Sequence, residues 1–103
     1  MYKFLSCWTV YDKISFLQRV ILIHSYLYYM KDNPTWSDKK YDEIAKQLAF
    51  YQRHLTEYKI VTYTQYGYVF FDYDGTTGFD LFYKLKEADK QVIIRIANQI
   101  GGK

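Results

Sequence analysis

The 103-residue sequence has one cysteine, Cys7, and one proline, Pro34. A lone cysteine excludes an internal disulfide and a cysteine-built zinc site, and it suits a reducing compartment. Five glycines and one proline leave no low-complexity tract or flexible linker, so a single domain over 1–103 is expected. No long uninterrupted apolar run occurs. The most apolar stretch is broken by Arg19 and His24, which argues against a membrane span. The segment before Trp8 is too short and too mixed for a signal peptide, so a cytoplasmic location is expected. Charge is also nearly balanced. A formal net charge of +3 permits nucleic-acid contact without concentrating the cations that a dedicated binder uses.

What the chain has in excess is tyrosine. Thirteen Tyr and 21% aromatic residues exceed what one small core needs, so some phenols are expected at the surface as contact groups. They gather with acids around one corner, Leu27 to Asp42. Pro34 cannot continue a helix and pushes Asn33 out of the helical region, so a first helix running from about Asp12 must stop near Asp32. Ser37 can cap a second helix, with Asp38 placed favourably in its first turn. Asp38, Tyr41 and Asp42 then share one face, and a short connection returns that face beside Tyr28 and Tyr29.

The Tyr-Tyr helix end, the Asp-x-Pro turn and the Ser-Asp-x-x-Tyr-Asp helix start resemble the small N-terminal (Ia) domain of bacterial NAD-dependent DNA ligases, over roughly residues 14–51. In that family the domain grips the nicotinamide mononucleotide half of NAD while a separate domain performs adenylation. The resemblance carries the cofactor-contacting positions over to Tyr28, Tyr29, Asp38, Tyr41 and Asp42. Trp36 stands where the family usually has an aliphatic residue. Physically, tyrosine rings can stack on a flat nicotinamide, and carboxylates can accept from ribose hydroxyls or face the cationic ring.

The remaining pattern predicts an α+β fold. The first helix carries two apolar seams, Ile14-Leu17-Ile21-His24-Tyr28 and Phe16-Val20-Ile23-Leu27-Met30, so it must be covered on two sides. The N-terminal segment, a strand or an extension of that helix, and the C-terminal half are the material available. The second helix presents Tyr41, Ile44, Leu48, Tyr51 and Leu55, with Gln47 outside, and ends near Glu57. The domain thus divides into a ligase-Ia-like helical pair over 14–57 and an elaboration over 58–103. β-branched and aromatic residues from Tyr58 to Tyr73 predict a hairpin reversing at Gln65-Tyr66-Gly67. Leu81, Phe82 and Leu85 predict a short helix, and Val92, Ile93, Ile96 and Ile100 a last one stopped by Gly101-Gly102.

Other motifs are weaker. Val69 to Thr77 imitates the first motif of haloacid-dehalogenase-type phosphatases, but too little chain follows to supply the other acids and lysine. A strand leaving into an Asp74-Gly75 turn is the simpler reading. The Lys-x-Asp-Gly context of ligase adenylation is missing, because Asp72 stands at the lysine position, so no adenylation or sealing is expected from this chain. His24 and His54 have no metal-ligand spacing, and no metal is expected. Cys7 reads as a small buried residue. The lysines of the second helix read as a solvated face.

The function expected is non-catalytic: a stand-alone ligase-Ia-like module, viral (phage) in origin, binding nicotinamide mononucleotide or NAD weakly, or acting beside a DNA ligase. The alternative is a small phage protein whose aromatic surface is a protein interface inhibiting a host enzyme, such as a defence nuclease. A nucleic-acid-binding accessory protein is the least favoured reading.

Overall fold

Thr9 opens the first helix through a reciprocal cap. Its Oγ1 accepts from the Asp12 backbone N–H at 3.1 Å, and Asp12 Oδ2 accepts from the Thr9 N–H at 3.0 Å. The computed structural model describes residues 3–31, 36–54, 64–70, 73 and 81–100. Helix α1 spans Val10–Ser25 and runs on as a π-helical turn, Tyr26–Met30, closed by Lys31 N–H donating to the Tyr26 carbonyl at 3.1 Å. Helix α2 spans Asp38–His54, and helix α3 spans Glu87–Ile100. Between α2 and α3 lie one helical turn, Gly67–Phe70, and a 3₁₀ turn, Phe82–Lys84.

Both seams of α1 are in use. Ile14, Leu17, Ile21, Leu22, Ile23 and Leu27 are buried, in one core with Ile44 and Leu48 of α2 and Ile93 and Ala97 of α3. Helices α2 and α3 both pack on α1. The N-terminal segment completes the cover, with Phe4 meeting Phe16 edge-on at 5.9 Å and stacking on Trp8 at 5.2 Å. Phe4 also lies 6.3 Å from Tyr51 of α2. Residues 3–9 of that segment are neither strand nor helix, and Val10 and Tyr11 extend α1 beyond its expected start at Asp12. The segment carries its own turn, at Ser6-Cys7, which leaves Cys7 exposed, not buried as its residue type suggests.

The α+β expectation is overturned: the described residues form helices and no strand. Where the second hairpin strand is predicted, the backbone turns helically. Val69 and Phe70 N–H groups both donate to the Tyr66 carbonyl, at 2.9 and 3.3 Å. The reason lies in which residues must be hidden. Tyr66, Val69 and Phe70 are all buried, and their i, i+3, i+4 spacing puts them on one side of a helical turn. A strand would send neighbours Val69 and Phe70 to opposite faces, so burial overrides β-propensity here. The first predicted strand, the end of α2 past His54, the Asp74-Gly75 turn and the terminal glycines lie outside the described residues. The 3₁₀ turn and α3 fall where Leu81, Phe82, Leu85 and the isoleucines place them.

Two buried amides tie these pieces together. Gln18 Nε2 donates to Gln52 Oε1 at 2.9 Å, and Gln52 Nε2 donates to the Phe70 carbonyl at 3.0 Å, joining α1, α2 and the helical turn. Gln47, expected on the outer face of α2, is buried as well. No helix among the described residues is long and apolar enough to cross a membrane.

Candidate functional site

The site is the corner between α1 and α2. Ser37 caps α2 as its position predicts, its Oγ accepting from the Lys40 N–H at 3.1 Å and its carbonyl from the Tyr41 N–H at 3.0 Å. That cap fixes Tyr41 on the inward side of the first turn. Across the corner, the π-helical turn carries Tyr28 and Tyr29, and an extra residue in such a turn re-aims the side chains around it.

The three predicted phenols converge. Tyr28 and Tyr29 meet edge-on with centroids 4.8 Å apart, and Tyr28 lies 6.4 Å from Tyr41. Tyr29 is exposed, while Tyr28 and Tyr41 are half-buried. The Tyr41 hydroxyl and Ser25 Oγ share a hydrogen bond of 2.6 Å in which either can donate. Burial pushes the Tyr41 hydroxyl up to about 12, against the opposing pull of the Ser25 bond, so the group is a neutral phenol at physiological pH.

The two predicted acids lie at the surface of α2. Asp38 and Asp42 are both exposed, and Asp42 Oδ2 accepts from Lys46 Nζ at 2.9 Å along the outer face of α2. An exposed i,i+4 pair of this kind is weak, so Asp42 can exchange that partner for another. Asp38 stands in the first turn, where the helix dipole favours its charge.

Three further residues belong to the corner, and residue type alone does not disclose them. Trp36 stacks face to face on His24, with centroids 3.7 Å apart and planes 11° from parallel. It also meets Tyr41 edge-on at 6.5 Å. Lys40 Nζ lies over the Trp36 ring, 5.2 Å from its centroid. Burial first, and the nearby Lys40 charge second, lower the His24 pKa to about 4, so its imidazole is neutral. The signal available in sequence was Trp36 itself, an aromatic residue beside the cap in place of an aliphatic one. Among the described residues no group of three or more His, Cys, Asp or Glu could hold a metal ion.

The corner is thus a capped helix pair with three clustered phenols between the helices and exposed carboxylates on α2. Residues 9–59, about half of the chain, match the model of the DNA ligase-like, N-terminal NAD+-binding domain, and this segment belongs to that family. No curated protein and no solved structure matches the chain.

Proposed function

We propose that this chain is a non-catalytic module of the ligase-Ia type, viral in origin, that binds the nicotinamide mononucleotide part of NAD or acts beside a DNA ligase. The observation that carries the reading is the convergence of Tyr28, Tyr29 and Tyr41 on one corner inside the family-matched segment. These residues suit the ligand's chemistry. Phenol faces accept a flat cationic ring, and the exposed carboxylates of Asp38 and Asp42 suit ribose hydroxyls and the pyridinium charge. NAD supplies an electrophilic phosphorus when a ligase consumes it. The Lys-x-Asp-Gly context that would attack it is missing here, so this chain's part is to hold the ligand.

With one jaw of the grip and much of the ligand in water, binding is weak, on the order of 0.1–10 mM or ~3–5 kcal/mol. Titrating nicotinamide mononucleotide should perturb the nuclear magnetic resonance signals of Tyr28, Tyr29, Asp38, Tyr41 and Asp42 ahead of those in α3. Asp42→Ala should weaken the response while leaving the thermal melt cooperative. Incubation with labelled NAD should form no protein–AMP adduct. An unmoved corner at saturating ligand sinks the binding reading, and an adduct sinks the non-catalytic one.

A second reading, a protein-interaction module, draws support from a groove along α2. There Glu43, Lys46, Gln47, Phe50 and Tyr51 line an almost wholly apolar groove of about 480 Å³, and Phe50 is half exposed. Affinity capture by the wild type but not by Phe50→Asp, with mononucleotide binding unchanged, would place partner recognition there.

A further inference from the structure

Along its length α2 keeps one stripe in solvent. Glu43, Lys46, Phe50 and Arg53 are exposed and stand at i, i+3, i+7 and i+10, so they run along a single side of the helix. Steps of three and four in alternation are those of a coiled-coil seam. The stripe is also complementary to itself when reversed. Counted about Leu48, position 43 mirrors position 53 and position 46 mirrors position 50. An antiparallel copy of α2 laid on this side therefore sets Glu43 against the partner's Arg53 and Lys46 against the partner's Phe50, each contact occurring twice. Both contacts are attractive, one an ion pair and the other an ammonium over a ring.

The groove along α2 fits the same occupant. Four residues of its lining, Glu43, Lys46, Gln47 and Phe50, form the i, i+3, i+4, i+7 set that makes the hole for one knob of a facing helix. In the antiparallel register the knob that reaches it is the partner's Phe50. We propose that the groove is filled by a second copy of this chain, docked antiparallel through α2 about a two-fold axis near Leu48, with each Phe50 seated in the other copy's groove. This pairing rests on the protein-interaction reading above and names its partner. The bond between Lys46 and Asp42 does not oppose it, because that pair is exposed and weak and the lysine stem can still cover a ring. One helix side per copy is a small contact, so the dimer belongs to the weak, transient class.

The test is sedimentation equilibrium at low salt, from micromolar to millimolar chain concentration. Wild type should rise towards twice the chain mass, and Phe50→Asp should stay monomeric. Glu43→Arg and Arg53→Glu should each weaken association about tenfold, since two attractions become two repulsions. The chain carrying both reversals has the wild-type net charge and should dimerise again. An equimolar mixture of the two single variants should also pair, each with the other. These side chains are exposed on the helix surface, so every variant should keep a cooperative thermal melt. A wild type that stays monomeric at millimolar concentration overturns self-pairing and leaves the groove reading to the capture experiment with Phe50→Asp. A dimer that survives Phe50→Asp, is indifferent to the single reversals, or is not rescued by the double one overturns the pairing proposed.

Discussion

At the scale of single residues, His24 is a clear case of location overriding chemistry. Its ordinary value of 6.5 drops to about 4 because burial against Trp36 penalises the cation and Lys40 repels it. The folded protein therefore binds fewer protons than the unfolded chain between those values. Its contribution is complete above about pH 6.5 and is lost as pH falls towards 4, by about 3 kcal/mol if the site does not relax. Chemical denaturation at pH 7 and pH 4.5 should show that loss in the wild type and a smaller one in His24→Gln. Lys40→Gln should raise the His24 titration midpoint, because it removes a positive neighbour. Tyr41→Phe keeps the ring but strands Ser25, and should cost about 1 kcal/mol in the same assay.

At the scale of elements, helix ends and buried amides decide how the pieces meet. The Thr9 cap holds the start of α1, and Thr9→Ala should lower stability by about 1 kcal/mol. The Gln18–Gln52–Phe70 chain matters more, since its atoms are out of water. Gln52→Leu leaves the Gln18 amide without its acceptor and the Phe70 carbonyl without its donor, and should cost about 2–4 kcal/mol. Adding Gln18→Leu should recover part of that loss in a double-mutant cycle, because one orphaned group disappears. Simple additivity of the two substitutions would mean that the pair does not act as a unit. From the same helical turn, the Tyr68 hydroxyl donates to Asp89 Oδ2 at 2.6 Å and accepts from Lys86 N–H at 3.0 Å, pinning the turn to the start of α3. Burial, reinforced by that bond to Asp89, raises the Tyr68 hydroxyl to about 12.

At the scale of the whole molecule, α1 is the element that everything else covers. Helix α2 takes one side and α3 another, and α3 reaches the π-helical turn that carries Tyr28 and Tyr29. The family-matched pair therefore depends on residues beyond the match for burial of its core. Ile93 and Ala97 are fully buried against α1, and Ile93→Ala should cost about 2–5 kcal/mol by opening a cavity there. Residues 9–59 expressed alone should lack a cooperative melt, since the second seam of α1 would face water. A cooperative melt of that fragment, with dispersed amide signals, would show that α3 is an accessory.

What the sequence determined by itself are the features encoded over a few adjacent residues. The Ser37 cap sets the start of α2, the 3.6-residue periods set α1 and α2, and the isoleucine spacing sets α3, because capping and helical periodicity act locally. Two seams on α1 also foretold cover on two sides. What tertiary structure decided was each case where local preference and burial disagree. Tyr66 to Phe70 have strand-forming residue types, yet they turn helically because Tyr66, Val69 and Phe70 must all enter one core. Gln18 and Gln47 are polar by type and buried by packing, while Cys7 is small and apolar by habit and exposed by the turn that carries it. In the candidate site, the convergence of Tyr28, Tyr29 and Tyr41 was legible in the spacing. The stacking of Trp36 on His24, and the ammonium of Lys40 above it, were not, because ring contacts between two helices depend on how the helices dock and no periodicity in one strand of sequence records that.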